Sequence, residues 1–561
     1  MHQPQYRDLI SGQEILPWTY LHGIKDYVDM AALLEADSRA RAVVNFTPVL
    51  LEQLADYTRQ INRFLENNEP MHDALLSALG GAVLPSSPEP RIELMRQCLH
   101  ANEEHMIQRY PAYALLADLA RVQLGKPEVL PYINEQFLFD LIVWYHLAWL
   151  GETVKRNNRR AKTLIEKARG YSLHDRLELL ELLGELLSDI VPRYRRLQER
   201  GQIELSMSPQ DHPMLPLLYD FKAAREAEPD IPLPALSGYP GGEARVRWHL
   251  EEGIRTFQHH FGCTPEGCWP SEGGVSNAVL KTLAAQGFRW VATGEKVLDH
   301  SLSHYKVNRH ICKHRPYRVK DLDTILFFRD DALADLIGFS YAKWRSEDAV
   351  ADFIHHLEQI DSACQGCDDR VVPVILDGEN AWEYYPGNGY DFLTELYEAL
   401  ARHPQLEMTT FSNCLPDDTA VAVNPDQATT TLPAELPGIV AGSWVYGNFS
   451  TWIGHSDKNR AWELLGEAKQ QVDKALKNSK LDDEQCNLVL QQLGVCEASD
   501  WFWWLGDYNS EEAVSTFERL FRHHLANLYF LLGKEPPEHL TVPLSHGSGH
   551  PEQAGTMRRN V

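Results

Sequence analysis

Between residues 203 and 412 the chain alternates short apolar runs with helical stretches, and this alternation constrains the fold more than any other feature of the sequence. Runs at 203–207, 288–293, 323–328, 371–376 and 408–411 read as strands. Residues 277–286, 349–360 and 390–403 read as helices between them. Strand then helix, repeated, predicts an α/β domain: a parallel, barrel-like sheet with crossover helices. Residues 43–46 read as an earlier strand. From about Leu50 to Leu197 the pattern is helical: Leu179, Leu183, Leu186 and Ile190 fall at three- and four-residue steps, one apolar face. This block reads as an insertion after the early strand. From about Gly454 the chain is helical again. Leu465, Ala468, Val472 and Leu476 mark one helix; Phe517, Leu520, His524 and Leu528 mark another, opened by Ser510 as a cap and two glutamates in the first turn. The expected organisation is a catalytic domain over 1–415 that includes the helical insertion, a helical domain over 416–540 that contributes to the active-site cleft, and a disordered tail over 541–561.

Composition narrows the partners. Lys and Arg number 53 against 79 Asp and Glu, a formal net charge of -26. Such a surface repels phosphate backbones, so no nucleic acid is expected, while a neutral sugar is tolerated. No apolar run approaches the ~20 residues of a membrane span. The start, MHQPQYRDLI, lacks the basic and apolar segments of a signal peptide. Nine cysteines cannot all pair within the chain, and reduced thiols in a cytoplasmic setting are the expectation. No GxxxxGK[ST] loop is present for nucleotide-driven chemistry.

In a parallel barrel, working groups sit at the C-terminal ends of strands. In VVPVILDGENAWEYYP the apolar run ends at Leu376 and Asp377 follows at once, with Glu379 and Trp382 close behind. Pro373 is tolerable only near the start of such a strand or at a bulge. In GCTPEGCWPSEGGVSN a short strand ends near Trp269, and Glu272 lies in the turn before a helix. A carboxylate beside a Trp suits sugar chemistry, because the ring covers C–H faces while the carboxyl bonds hydroxyls or moves protons; each carboxylate alone could equally be a solvated turn residue. Paired, they fit glycoside hydrolysis, which needs one group to attack and another to protonate the leaving oxygen. The protonating group needs a raised pKa. In IELSMSPQDHPMLPLL, Glu204 lies in a strand and His212 in the following loop. In EASDWFWWLGDYNS, Asp500, Trp501 and Trp504 sit between two helices.

Five blocks in order resemble glycoside hydrolase family 57, known for α-glucan-active enzymes: HQPQYRD at the start, IELSMSPQDHPMLPLL, GCWPSEGG, ILDGENAWEYYP and EASDWFWWLGD. GSWVYGNFSTWIGHSDKNRAWELL looks like the amylopullulanase-type branch. The resemblance implies an incomplete (β/α)7 barrel with a helical region behind it, and a retaining mechanism with Glu272 as nucleophile and Asp377 as general acid/base. A retaining pair is about 5–5.5 Å apart. It implies that His2, Glu204, His212, Trp269 and Asp500 hold the sugar at the cleavage point, and that Trp382, Trp452, Trp501 and Trp504 stack along the glucan; read from the residues alone, Glu379 is a substrate-binding candidate that, with Glu272, supplies the nearby carboxylate a raised Asp377 pKa needs. The expected substrate is an α-glucan or maltooligosaccharide, with no cofactor. The expected activity is hydrolysis of the α-amylase or amylopullulanase type; a 4-α-glucanotransferase and a non-catalytic glucan-binding protein are the alternatives. One departure stands out. The family has a hydrophobic first strand ahead of the HQP block, and here His2 follows Met1 directly. A start placed too late is the favoured reading, since a lost stave leaves buried strand edges unpaired.

Metal chemistry has little support in the sequence. Cys364 and Cys367 form a lone C-x-x-C without a second pair at zinc spacing and read as a loop coincidence. His304, His310, Cys312 and His314 match no ligand template, and no Asp/His set of the kind used by metal-dependent deacetylases falls at strand ends.

Overall fold

A computed structural model describes residues 1–126, 134–307, 312–364, 370–415, 433–478 and 481–549. Strands β1 (Ala42–Phe46), β2 (Ile203–Met207), β3 (Gly267–Cys268), β4 (Trp290–Gly294), β5 (Tyr317–Val319), β6 (Ile325–Arg329) and β7 (Ala434–Leu436) form one sheet. Their order is β1-β2-β3-β4-β6-β5-β7. β1, β2, β3, β4 and β6 are mutually parallel, β5 runs antiparallel to β6, and β7 is parallel to β5. β4 and β6 are buried along their whole length, which is why their sequences are apolar runs without alternation. With helices returning the chain between the parallel strands, this is the incomplete (β/α)7-type barrel that the alternation and the motifs predict.

The structure departs from the expected strands in two places. Residues 371–376 and 408–411 join no ladder. Residues 371–376 run against the end of β6, where Asp330 N donates to Pro373 O (2.8 Å) and Arg329 Nε to Ile375 O (2.8 Å). Pro373 has no N–H to return, so a regular pairing cannot propagate through it. The three-residue strands β5 and β7 are too short to leave a period in the sequence. At the sheet edge, the Met1 ammonium donates to Asn45 O (2.7 Å) and Thr47 N to Met1 O (3.1 Å). Among the described residues no strand pairs with the rest of that edge, and Ala42 to Asn45 are only half-buried.

The helical insertion runs from helix Pro48–Asn67 to helix Leu173–Glu199. Pro48 opens the first of these at a position where a missing N–H costs nothing. Ser172 and Asp175 form a capping box on the second, and its Leu179, Leu183 and Ile190 are buried as their spacing requires. Helices Ser456–Lys477, Asp483–Cys496, Ser499–Trp504 and Glu511–Leu531 build the C-terminal region, with Ser510 capping the last through Ala513 N. The tail expected to be disordered from 541 is instead docked as far as Gly549. Ser545 Oγ donates to Asp457 Oδ2 (2.7 Å) and accepts from Gly506 N (2.9 Å), and Gly549 N donates to Asn509 O (3.0 Å). His310, Cys367 and residues 550–561 lie outside the described residues. Among the described residues no helix is long and apolar enough to cross a membrane.

Candidate active site

Glu272 lies in a tight turn, Ser271–Gly273, directly after β3 and Trp269. Its backbone is left-handed (φ 57°, ψ 27°), a conformation that costs a side-chain-bearing residue roughly 1–2 kcal/mol. The turn aims the carboxylate inward. Trp444 Nε1 donates to Oε2 (3.0 Å), Ser499 Oγ lies 3.5 Å from Oε1, and His212 Nδ1 lies 4.0 Å from Oε1. Burial pushes the Glu272 pKa up to about 8; the charges of Asp500 and Asp377 push the same way, against the Trp444 hydrogen bond and the charge of His2.

His212 is also left-handed (φ 57°). Its carbonyl accepts from Ser499 N (2.9 Å), and Pro213 bridges to Ala498, so the loop after β2 grips the short helix Ser499–Trp504. That grip carries Asp500 from the C-terminal region to the barrel mouth. His2 Nε2 bonds Asp500 Oδ1 (2.8 Å), and the His2 and His212 rings stack at a centroid distance of 3.8 Å. Burial alone would lower the His2 pKa; Asp500 beside it, with Glu379 and Glu272, reverses this and raises it. Burial, with the charge of His2, holds His212 well below its ordinary value and hence neutral. Glu379 accepts from His2 N (2.9 Å), and burial raises its pKa. Asp377 accepts from Asn380 Nδ2 (2.9 Å).

Glu272, Asp377, Glu379, His2, His212 and Asp500 all line one cavity of about 1540 Å³, together with Trp269, Trp382 and Trp504. Trp504 is braced by a parallel stack on Phe517 at 4.6 Å. Three expected ligands of the sugar are placed elsewhere. Glu204 does not line the cavity: it accepts from Trp290 Nε1 (2.5 Å), Ser412 N (2.9 Å) and Ser412 Oγ (2.6 Å) inside the barrel. Trp452 and Trp501 are fully buried in the core beneath the mouth, and Trp501 Nε1 is spent on Val495 O (2.7 Å). Trp503, in the same aromatic segment as Trp501 and Trp504, also lines the cavity, as does Trp444, which no motif reading singles out. Trp444 stands in the same sequence block from which Trp452 was chosen, and nothing in the spacing of the block distinguishes the two.

Three buried polar atoms of cavity-lining residues have no hydrogen-bond partner among the described residues: His2 Nδ1, Glu379 Oε2 and Asp500 Oδ2. Donors and acceptors held beside exposed indole faces match a sugar ring, which is polar at its edge and apolar on its faces. His2, His212 and Asp500 also bring ligand atoms within 4.8 Å of one another. Face-to-face stacking of the two imidazoles and the His2–Asp500 bond leave those nitrogens poorly directed at a shared cation. Among the carboxyls lining the cavity, burial raises Glu272 and Glu379.

Comparison with known proteins accords with this geometry. The curated 1,4-α-glucan branching enzyme TK1436 of Thermococcus kodakarensis is 27% identical over 107 residues, which span 19% of this chain and only 13% of that enzyme. The crystal structure of that family 57 branching enzyme superposes with a TM-score of 0.57 at 16% identity, covering 94% of this chain and 88% of the other. The α-amylase AmyC of Thermotoga maritima gives 0.54 at 15% identity, covering 96% and 94%. The branching enzyme of Pyrococcus horikoshii gives 0.52 at 17% identity, covering 100% and 98%. At these identities the likeness is one of fold. The sequence profile of Glycosyl hydrolase family 57 matches residues 1–423, three quarters of the chain, and the protein belongs to that family.

Proposed function

We propose that the protein is a retaining glycoside hydrolase of α-glucans, of the α-amylase or amylopullulanase type, in which Glu272 is the nucleophile and Asp377 the general acid/base. The observation that carries this is the convergence of Glu272 and Asp377 on one aromatic-lined cavity, close enough for the charge of Asp377 to act on Glu272. The Glu272 carboxylate attacks the anomeric carbon while the bond to the leaving oxygen breaks and Asp377 gives that oxygen its proton. A glycosyl ester forms. The Asp377 carboxylate then takes a proton from water, whose oxygen displaces Glu272. Glu272 must be ionised to attack, and Trp444 Nε1–H and the cationic His2 are the groups that favour its anion. His2, Asp500 and Glu379 hold ring hydroxyls, and Trp269, Trp382 and Trp504 stack against the glucan.

A second reading has its own support. The Glu272 carboxylate is enclosed by Trp444, Ser499 and His212, which limits the approach of water to the ester. A sugar hydroxyl guided by the aromatic walls can then be the acceptor, giving transfer as in a 4-α-glucanotransferase or a branching enzyme. The branching enzymes and the amylase among the relatives support a glucan substrate for either outcome. Incubation with maltoheptaose and with pullulan, followed by sizing and linkage analysis of the products, separates the readings: shorter chains alone mean hydrolysis, longer or newly branched chains mean transfer. Glu272→Gln should keep the fold and lose more than about 1000-fold in turnover. Wild-type activity in that variant, or glucan affinity without any product from the native protein, would overturn the proposal.

A further inference from the structure

The loop after helix Glu295–His304 and the end of helix Ser346–Ala363 are far apart in sequence, yet the fold brings their thiols together. Cys312 Sγ lies 2.7 Å from Cys364 Sγ, across 52 residues and beyond the length of a disulfide bond. His314, two residues after Cys312, brings a ring nitrogen to the same point, so that all three ligand atoms lie within 4.8 Å of one another. None of the three lines the catalytic cavity. Cys364 reads as part of a loop coincidence in the sequence because Cys312 and His314 stand at no recognisable spacing from it.

The surroundings orient these donors. His314 Nε2 bonds the buried Asp330 Oδ2 (2.8 Å), which leaves Nδ1 as the ligand nitrogen. Asp330 is itself fixed, since its Oδ1 caps Leu333 N (2.8 Å) and Lys313 Nζ lies 3.3 Å from Oδ2. A carboxylate behind a histidine is the usual second partner of a metal-bound imidazole: it sets the ring's orientation and tautomer. Both cysteine backbones are pinned, with Tyr317 OH donating to Cys312 O (2.8 Å) and Arg370 Nη1 to Cys364 O (2.9 Å). A disulfide would use the two sulfurs and give His314 and Asp330 no role. Two thiolates and an imidazole are the donors that Zn²⁺ prefers, at about 2.3 Å for sulfur and about 2.0–2.1 Å for nitrogen; the sulfurs, 2.7 Å apart here, must separate by about 1 Å to share one tetrahedral ion.

We infer that Cys312, His314 and Cys364 bind one Zn²⁺ at a structural site separate from the catalytic cavity. The two thiols release their protons to solvent as the thiolate–zinc bonds form, and a further donor completes the tetrahedron. The ion ties the chain ahead of β5 to the end of the helix. Through Val371 N, which donates to His314 O (3.0 Å), it also steadies the segment that delivers Asp377.

The test uses the full chain, purified under reductant with zinc supplied and then passed through metal-free buffer. Elemental analysis should find about one zinc per chain, and replacement by Co²⁺ should give a thiolate-to-cobalt charge-transfer band. Cys312→Ser and Cys364→Ser should each lower the retained zinc at least about tenfold and abolish that band, whereas Cys263→Ser should retain both. If a variant fails to fold, the zinc content and cobalt spectrum of the native chain decide alone. Native protein without zinc, whether its two thiols react with a thiol reagent or peptide mapping finds them joined as a disulfide, would overturn the inference.

Discussion

Glu272 and His212 share a left-handed backbone, and both face the same cavity. Strain of this kind persists only where the surroundings enforce it, and it concentrates at working sites. Glu272 is also electrostatically costly. Its folded pKa of about 8 lies above the ordinary 4.5. A raised folded pKa means that the fold is relatively most stable below pH 4.5 and loses stability as pH rises towards 8. Glu272→Gln removes that cost while keeping an acceptor for Trp444. The variant should therefore be more stable than the native protein by ~3 kcal/mol at pH 7, with the difference vanishing near pH 4.5. Urea unfolding at the two pH values checks this, and equal stability throughout would remove the burial argument. Activity requires Glu272 ionised while Asp377 keeps its proton, so kcat/KM should follow a bell-shaped pH profile with one limb near pH 8 set by Glu272. After burial, Asp500 is the largest cause of that shift. Asp500→Asn should move that limb to lower pH, in addition to any loss of sugar binding. A pH–rate profile with an unmoved limb would assign the limb to another group.

At the scale of the element, the strands buried along their whole length, β4 and β6, were legible because burial favours apolar runs, whereas β2 alternates, with Glu204 and Ser206 between apolar residues. Glu272 and Asp377 were legible as candidates because each follows a short apolar stretch and has a Trp nearby in the sequence, and the fold brings both to one cavity. What could not be read depends on contacts between distant segments. Residues 371–376 carry a strand-like sequence, yet Pro373 prevents regular pairing. The three-residue β5 and β7 exist only because β6 presents them an edge. The difference between Trp444 and Trp452 is one of direction rather than of residue type. Glu204 illustrates the limit most clearly: its motif suggests a sugar ligand, but its carboxylate is satisfied by Trp290 and Ser412. Glu204→Ala would take the acceptor from Trp290 Nε1 and Ser412 N, while Ser412 Oγ keeps Glu266, at a cost of about 1–3 kcal/mol. Stability should fall while KM for maltooligosaccharides changes less than about twofold. A large rise in KM with unchanged stability would instead return Glu204 to the substrate.

At the scale of the whole molecule, the active site is completed only when the C-terminal helices dock on the barrel, since Asp500 and Ser499 come from them. A buried charge cluster lies three residues from Asp500. Glu497, fully buried, accepts from Arg245 Nε (3.0 Å to Oε1), from Tyr239 OH (2.5 Å), and from His249 Nε2 (2.7 Å). Arg245 and His249 lie on helix Gly242–Phe261 of the barrel region, so the cluster joins the two parts. Breaking a buried pair by removing one charge typically costs 3–5 kcal/mol, because the partner is left uncompensated. Glu497→Gln should lose about that much, and kcat should fall with it as Asp500 shifts. Burial opposes ionisation of Glu497, but Arg245 and His249 outweigh it and hold the pKa down to about 2, against an ordinary 4.5. A depressed folded pKa contributes stability that is complete above pH 4.5 and is lost as pH falls towards 2. His249, which burial lowers to about 4, adds its own loss as pH drops below 6.5; Asp211, 3.8 Å from it and raised by burial, acts in the opposite sense. Comparing native and Glu497→Gln proteins at each pH isolates the glutamate from these neighbours to first order. The stability difference should hold level above pH 4.5 and shrink towards pH 2, and a difference that stayed constant into acid would mean that the side chain acts through packing rather than charge.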